Sequence, residues 1–324
     1  TVLLLTWINV RGVKTAAIIQ TTLTSIKTLS LAALVLLGVT VARHADVAAV
    51  NFGSAFWPAG GLTLALLPII GGAMVGSLFS MDAWNNVGFA AAEMKNPQKD
   101  LPFAMGAGVV IVVTIYLLAN VAYLSVLPLS AVRAASTGTH PPIGAAALQA
   151  MFGRAGLTLM AIAVMISTFG CNNGLILAGA RVYYAMAGDG LFFRKAATLH
   201  PVHRTPSFAL IAQMIWTCLL CLSGSYGDLL EYVIIAALLF YLLTAIGLFA
   251  LRRSKPDLPR PIRAPGYPWL PGFYLLATLV FCVNLLFVKP LYTWPGLIIV
   301  LIGVPVYFIW RKVGGGSVRG DAAI

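Results

Sequence analysis

Charge is what this 324-residue chain has least of. Asp, Glu, Lys and Arg together make up 9% of it, and only nine residues are acidic. An ordinary soluble domain is about a quarter charged. So few charged groups cannot cover the water-facing surface of a 34.3 kDa protein, which excludes a soluble enzyme and a disordered chain alike. Cysteine is also scarce. Four are too few for a disulfide scaffold, and the C-x-x-C of Cys218 and Cys221 lies in an apolar run with no charged or Gly-rich surroundings to activate a thiol. His200 and His203 lack a third ligand nearby, so neither a metal nor any other cofactor is expected. No H-E-x-x-H, Ser/Lys dyad or pair of intramembrane aspartates is present, so a membrane enzyme would lack its catalytic groups.

What the chain does have is apolar length. It is 60% hydrophobic, with a mean hydropathy of +0.92. A membrane-crossing helix needs about 20 apolar residues. Stretches of that order lie near 15–42, 62–92, 103–127, 157–187, 208–223, 229–250, 270–288 and 292–310, the fifth being short. The expected fold class is all-α, a polytopic helical membrane protein with eight spans. The opening TVLLLTWI is too short to cross and reads as the end of a further span, so the chain is expected to be truncated at its N-terminus.

The net charge of +12 acquires its meaning from position. With the opening stub running inward, fifteen of the 21 Lys and Arg residues fall in inside loops, four in outside loops and two, Lys27 and Arg181, within spans. That bias supports alternating crossings with a cytoplasmic C-terminus, and it removes nucleic acid as a partner. The tail, GGGSVRGDAAI, contains an Arg-Gly-Asp that a Gly-rich segment can hold by chance.

Three stretches break the apolar rule, and in a bilayer such departures mark function. Phe79-Ser80-Met81-Asp82-Ala83-Trp84-Asn85-Asn86 puts an acid and two amides near membrane depth. A continuous lipid-facing helix does not tolerate that run, whereas a discontinuous one lining a cavity does. The upper half-helix should end near Ser80 and the lower begin near Asp82, which can line the cavity or simply cap the second half. Lys27 lies about 12 residues into its span, roughly 18 Å deep, and needs carbonyls, hydroxyls or an acid around it, in a functional or a structural role. Asn172 and Asn173 fall mid-span between Gly170 and Gly174. They fit either the lining of a pocket or helix–helix hydrogen bonding.

Three blocks then resemble the amino acid–polyamine–organocation superfamily, and within it bacterial relatives of the L-amino-acid transporters. They are FSMDAWNNVGFAAAEMKNPQKDLP (79–102), NNGLILAGARVYYAMAGDGLFF (172–193) and FYLLTAIGLFALRRSKPDLPRPIRAPGYP (240–268). The resemblance implies a leucine-transporter-type fold of two inverted repeats, with 1–9 the end of the fourth helix and Lys27 on the fifth. The transport core would occupy 10–250, a loop and two peripheral helices 251–311, and a cytoplasmic tail 312–324. The resemblance further implies substrate binding at Phe79, Ser80, Asp82, Trp84 and Asn85. Carbonyls of the break would hold the substrate ammonium, Phe79 would act as a lid, and Asn85 would support the unwound segment. Lys27 corresponds to a lysine that stands in for sodium in sodium-independent members. Two departures bear on the pocket: Ala83 replaces the usual Gly, and Leu238 stands about where many relatives carry Trp.

The function implied is secondary transport of amino acids across the cell (inner) membrane, by sodium-independent exchange or coupled to protons, with a small-molecule substrate (an amino acid) and the lipid bilayer as partners. Two alternatives stand beside it. One is a transport-incompetent fragment or scaffold, because the first helix of the family has no counterpart here. The other is a polyamine or organic-cation permease, with Asp82 pairing an extra ammonium. Oligomeric state is not legible.

Overall fold

The computed structural model describes residues 1–53, 63–136, 141–222, 226–260 and 262–313. The Gly-rich tail with its Arg-Gly-Asp lies outside them. The helices are α1 (Val2–Val10), α2 (Val13–Val39), α3 (Ala45–Phe52), α4 (Leu66–Ser80), α5 (Pro97–Val126) and α6 (Leu129–Ser136). They continue with α7 (Ile143–Phe152), α8 (Arg154–Gly188), α9 (Ser207–Cys221), α10 (Tyr226–Ser254), α11 (Trp269–Val288) and α12 (Pro290–Val313). Two short 3-10 helices, Asn86–Glu93 and Arg194–Ala197, complete the regular structure, and no strand occurs among the described residues.

Among the described residues six helices are long and apolar enough to cross a bilayer: α2, α5, α8, the Val233–Ser254 part of α10, α11, and Thr293–Trp310 of α12. Only 11 to 22% of each apolar window is buried within the protein, so most of these side chains face outward. In water that exposure would be ruinous; in lipid it is the expected surface. The chain is a multi-pass helical membrane protein. Two of the eight stretches expected to span are shorter as continuous helices. The segment 62–92 is divided at residues 81–85, leaving the 15-residue α4 and a 3-10 helix, and α9 is also 15 residues. Three short helices, α3, α6 and α7, occupy connections that hydropathy reads only as loops.

The chain forms two compact units. The first comprises residues 1–62, 104–180 and 199–214. Its packing depends on small residues where helices approach. A Cβ on Gly38 of α2 would stand 2.8 Å from the Ala122 Cβ of α5, and one on Gly170 of α8 would stand 3.1 Å from Leu23 of α2. Leu34, Ala122 and Leu148 form one buried cluster there, with Tyr123, Met151 and Met160 against it. The Thr205 hydroxyl ties the 199–206 loop to the end of α1 by donating to the Val10 carbonyl at 2.8 Å.

The second unit comprises residues 63–103, 181–198 and 215–324. Its core joins Val75 of α4, Ile234, Ile235, Leu238 and Leu242 of α10, and Cys282 and Leu285 of α11. Gly71 lets α4 approach α11, because any Cβ there would collide with the Asn284 amide. Trp310 of α12 meets Phe193 edge-on at 4.9 Å and stacks near Phe192, anchoring the last helix to the segment after α8.

Candidate functional site

The α4 helix ends at Ser80 because its hydrogen-bond ladder gives out there. Met81 N–H still reaches the carbonyls of Ser77 and Leu78, but Asp82 N–H reaches only Phe79, three residues back, at 3.1 Å. Ala83 then takes φ = 65°, in the left-handed region that side chains resist, and the chain turns before Asn86 N–H closes onto the Ala83 carbonyl at 3.1 Å. The break is therefore a five-residue turn, Met81 to Asn85, between a helix and a 3-10 helix.

Within this unit the break meets α10. The Tyr241 hydroxyl donates to Asp82 Oδ1 at 2.6 Å and lies 3.5 Å from Asn85 Oδ1. A phenol has one proton to donate, so the short contact to the carboxylate takes it and the amide oxygen stays secondary. The Trp84 ring leans on Tyr241, with centroids 5.9 Å apart. Asp82 is thus held from the side by α10. The residue preceding the lower 3-10 helix is Asn85, and its side chain makes no capping bond. The capping role left open for Asp82 is not the one it adopts.

The other expected residues of this stretch are placed as follows. Phe79 packs against the apolar cluster that contains Leu238, which is 8% exposed, so these two expected pocket residues belong to one packed group. The Ser80 hydroxyl donates back to the Gly76 carbonyl at 2.9 Å, which fixes its rotamer along the last turn of α4. Trp84 is 44% exposed. Beside the break lies a cavity of about 480 Å³ lined by Trp84, Asn85, Tyr241, Thr244, Leu248 and Tyr274. Its walls are mainly apolar side chains with a few polar groups, the usual make-up of a small-molecule pocket.

Lys27 belongs to the first unit. It sits at the middle of the 27-residue α2, where its ammonium lies 3.7 Å from Cys171 Sγ of α8. With Ser30, Leu34, Leu148, Met160 and Ser167 it lines a second cavity of about 360 Å³. The residues that share the cavity include the hydroxyl-bearing Ser30 and Ser167 and no acid. Asn172 and Asn173 divide between two environments. Asn173 is fully buried, donates to the Ala16 carbonyl at 3.1 Å and to Gln20 Oε1 at 3.0 Å, and accepts from Asn9 Nδ2 at 2.9 Å. Those three bonds join α1, α2 and α8, which is the helix–helix role. Asn172 is half-buried.

Tyr241 is the residue that the sequence did not single out. It stands in an apolar run of α10 as one aromatic among many. The only signal was chemical: a phenol at membrane depth needs a partner for its O–H.

Comparison with known proteins follows the same geography. A family model described as amino acid permease matches residues 1–308. The human large neutral amino acids transporter small subunit 2 is 32% identical over 316 residues, covering 95% of this chain and 55% of that protein. The serine/threonine exchanger SteT of Bacillus subtilis is 29% identical over 320 residues, covering 96% of this chain and 68% of its own. The Asc-type amino acid transporter 1 of mouse is 29% identical over 322 residues, covering 96% and 57%. The chain spans just over half the length of the human and mouse relatives.

Proposed function

Because the chain belongs to the amino acid permease family, we propose that it moves neutral amino acids across the cell membrane by sodium-independent exchange. The observation that carries this reading is the interruption of α4 at residues 81–85, next to a cavity and clamped by Tyr241. A carbonyl has two lone pairs, so backbone oxygens of Phe79 and Ser80 at the end of α4 can receive a substrate ammonium. The negative end of the α4 dipole points the same way. Phe79 closes over the bound amino acid, Trp84 and Asn85 shape the cavity beside the turn, and Asp82 is spent on fixing the turn. Lys27 supplies the fixed positive charge that a sodium ion would otherwise bring. The C-terminus is cytoplasmic, in accord with the fifteen-to-four bias of basic residues. The names of the relatives favour neutral substrates: large neutral amino acids for one, serine and threonine for another.

The test is ligand-dependent stabilisation of the purified chain with a panel of neutral, cationic and anionic amino acids and polyamines, because a ligand that binds the folded state raises its apparent stability by mass action. Stabilisation by neutral members alone is expected. Stabilisation by polyamines or cationic amino acids alone would replace this reading with the organic-cation one, and none at all would favour the fragment.

A further inference from the structure

The loop between α10 and α11 belongs to a block that carries the family resemblance, and its basic part, 252–263, lies outside the cavity beside the break, which only Ala264 and Pro265 of the loop reach. Five cations, Arg252, Arg253, Lys255, Arg260 and Arg263, fall within twelve residues, with Asp257 the one acid among them. Arg252, Arg260 and Arg263 line a cavity of about 500 Å³ together with Asp257 and the apolar Pro256, Leu258 and Pro259, so cations outnumber the one acid in its wall. Arg260 is built into its wall. One guanidinium nitrogen donates to the carbonyls of Pro256 at 2.6 Å and Leu258 at 3.0 Å, and the other to Lys255 at 2.7 Å. Arg252 lies over the Tyr267 ring at 3.8 Å, and its Nε is buried without a hydrogen-bond partner.

The last-turn position of Arg252 and Arg253 suits the negative end of the α10 dipole, but that does not explain Arg260 or Arg263. The loop also has a definite depth. The apolar span of α10 ends at Ser254, and that of α11 begins at Trp269. Trp269 is 84% exposed and stands with Tyr267 where aromatic residues mark the headgroup level. With the Arg260 fork holding the loop carbonyls, Arg252 and Arg263 are the guanidinium groups that can reach a ligand, and a cavity with three cations and one acid in its wall at headgroup depth suits a phosphate.

We propose that this cavity binds the phosphate of an anionic phospholipid headgroup. The bound lipid bridges the arginines and satisfies the orphaned Arg252 Nε, fixing the loop between the two helices. The test uses the full chain in nanodiscs of phosphatidylcholine with and without phosphatidylglycerol, read by the lipid retained in native mass spectrometry, with inorganic phosphate as a separate arm. Retention of phosphatidylglycerol over phosphatidylcholine is expected, lowered about tenfold in Arg263→Gln, as befits the loss of one charge-assisted hydrogen bond to phosphate. Arg263→Lys, which keeps the charge and loses the fork, falls between. The exposed pair Arg194→Gln and Lys195→Gln, outside the cavity, leaves retention unchanged. Undiminished retention in Arg263→Gln, an equal loss in the control pair, or occupancy by inorganic phosphate in place of lipid overturns the proposal.

Discussion

The hydroxyl of Tyr241 meets the carboxylate of Asp82 at 2.6 Å, so the turn that interrupts α4 is fastened to the middle of α10 by one charge-assisted hydrogen bond. An acid at membrane depth is costly unless paired. Here a phenol pairs it from one side, with the Trp84 ring alongside.

Tyr241→Phe keeps the ring and removes the donor. A hydrogen bond to a charged group contributes about 1.5–3 kcal/mol. Substrate exchange should therefore fall about tenfold or more in rate or apparent affinity, while the purified chain still folds. Asp82→Asn should weaken the same contact. A double-mutant cycle between the two, scored on exchange, should show strong coupling and not additivity.

Ala83 holds φ = 65° in that turn, a conformation that costs an L-residue about 1–2 kcal/mol. Ala83→Gly removes the Cβ that makes it costly and should raise the unfolding temperature, although part of the gain is returned through the freer unfolded chain. Ala83→Val should lower it. Thermal unfolding of both purified variants checks the pair.

Asn173 ties α8 to α1 and α2 through three hydrogen bonds and has no exposed surface. Polar bonds between membrane helices average about 0.6 kcal/mol each. Asn173→Ala should therefore cost about 2 kcal/mol of stability, without changing substrate affinity per folded molecule. A changed affinity at unchanged stability would give Asn173 a place in the pocket instead.

Much of this was legible in the residues because the bilayer makes certain patterns expensive. An acid and two amides in eight residues cannot face lipid, and the helix breaks where they stand. Gly170 and Gly174 announced a close approach, and a Cβ on either would meet Leu23 or Gln20 of α2 at 3.1 and 3.3 Å. What periodicity could not reveal was which distant side chain answers Asp82. Tyr241 lies 159 positions away in an apolar run, and only folding brings it to the break. Hydropathy alone reads 62–92 as one span, and it was the polar run at 80–86 that marked the division, though not the 3-10 form of its lower half. Leu238 illustrates the converse: it stood out as a departure bearing on the pocket, and its neighbours are the close-packed side chains of α4, α10 and α11.

Lys27 has the Cys171 thiol 3.7 Å from its ammonium and shares a cavity with Ser30 and Ser167. If its charge takes the place of sodium, Lys27→Ala should abolish exchange with or without sodium in the buffer, and Lys27→Arg should restore part of it. Both are measured as uptake of labelled amino acid, normalised to folded protein.

The most direct test of the account is counterflow. The chain, reconstituted into liposomes loaded with unlabelled neutral amino acid in sodium-free buffer, is given labelled amino acid outside. The account predicts saturable uptake that depends on the internal amino acid, is indifferent to sodium and is cut about tenfold by Tyr241→Phe. Uptake no faster than in protein-free liposomes, or uptake that proceeds equally well from empty ones, would contradict it.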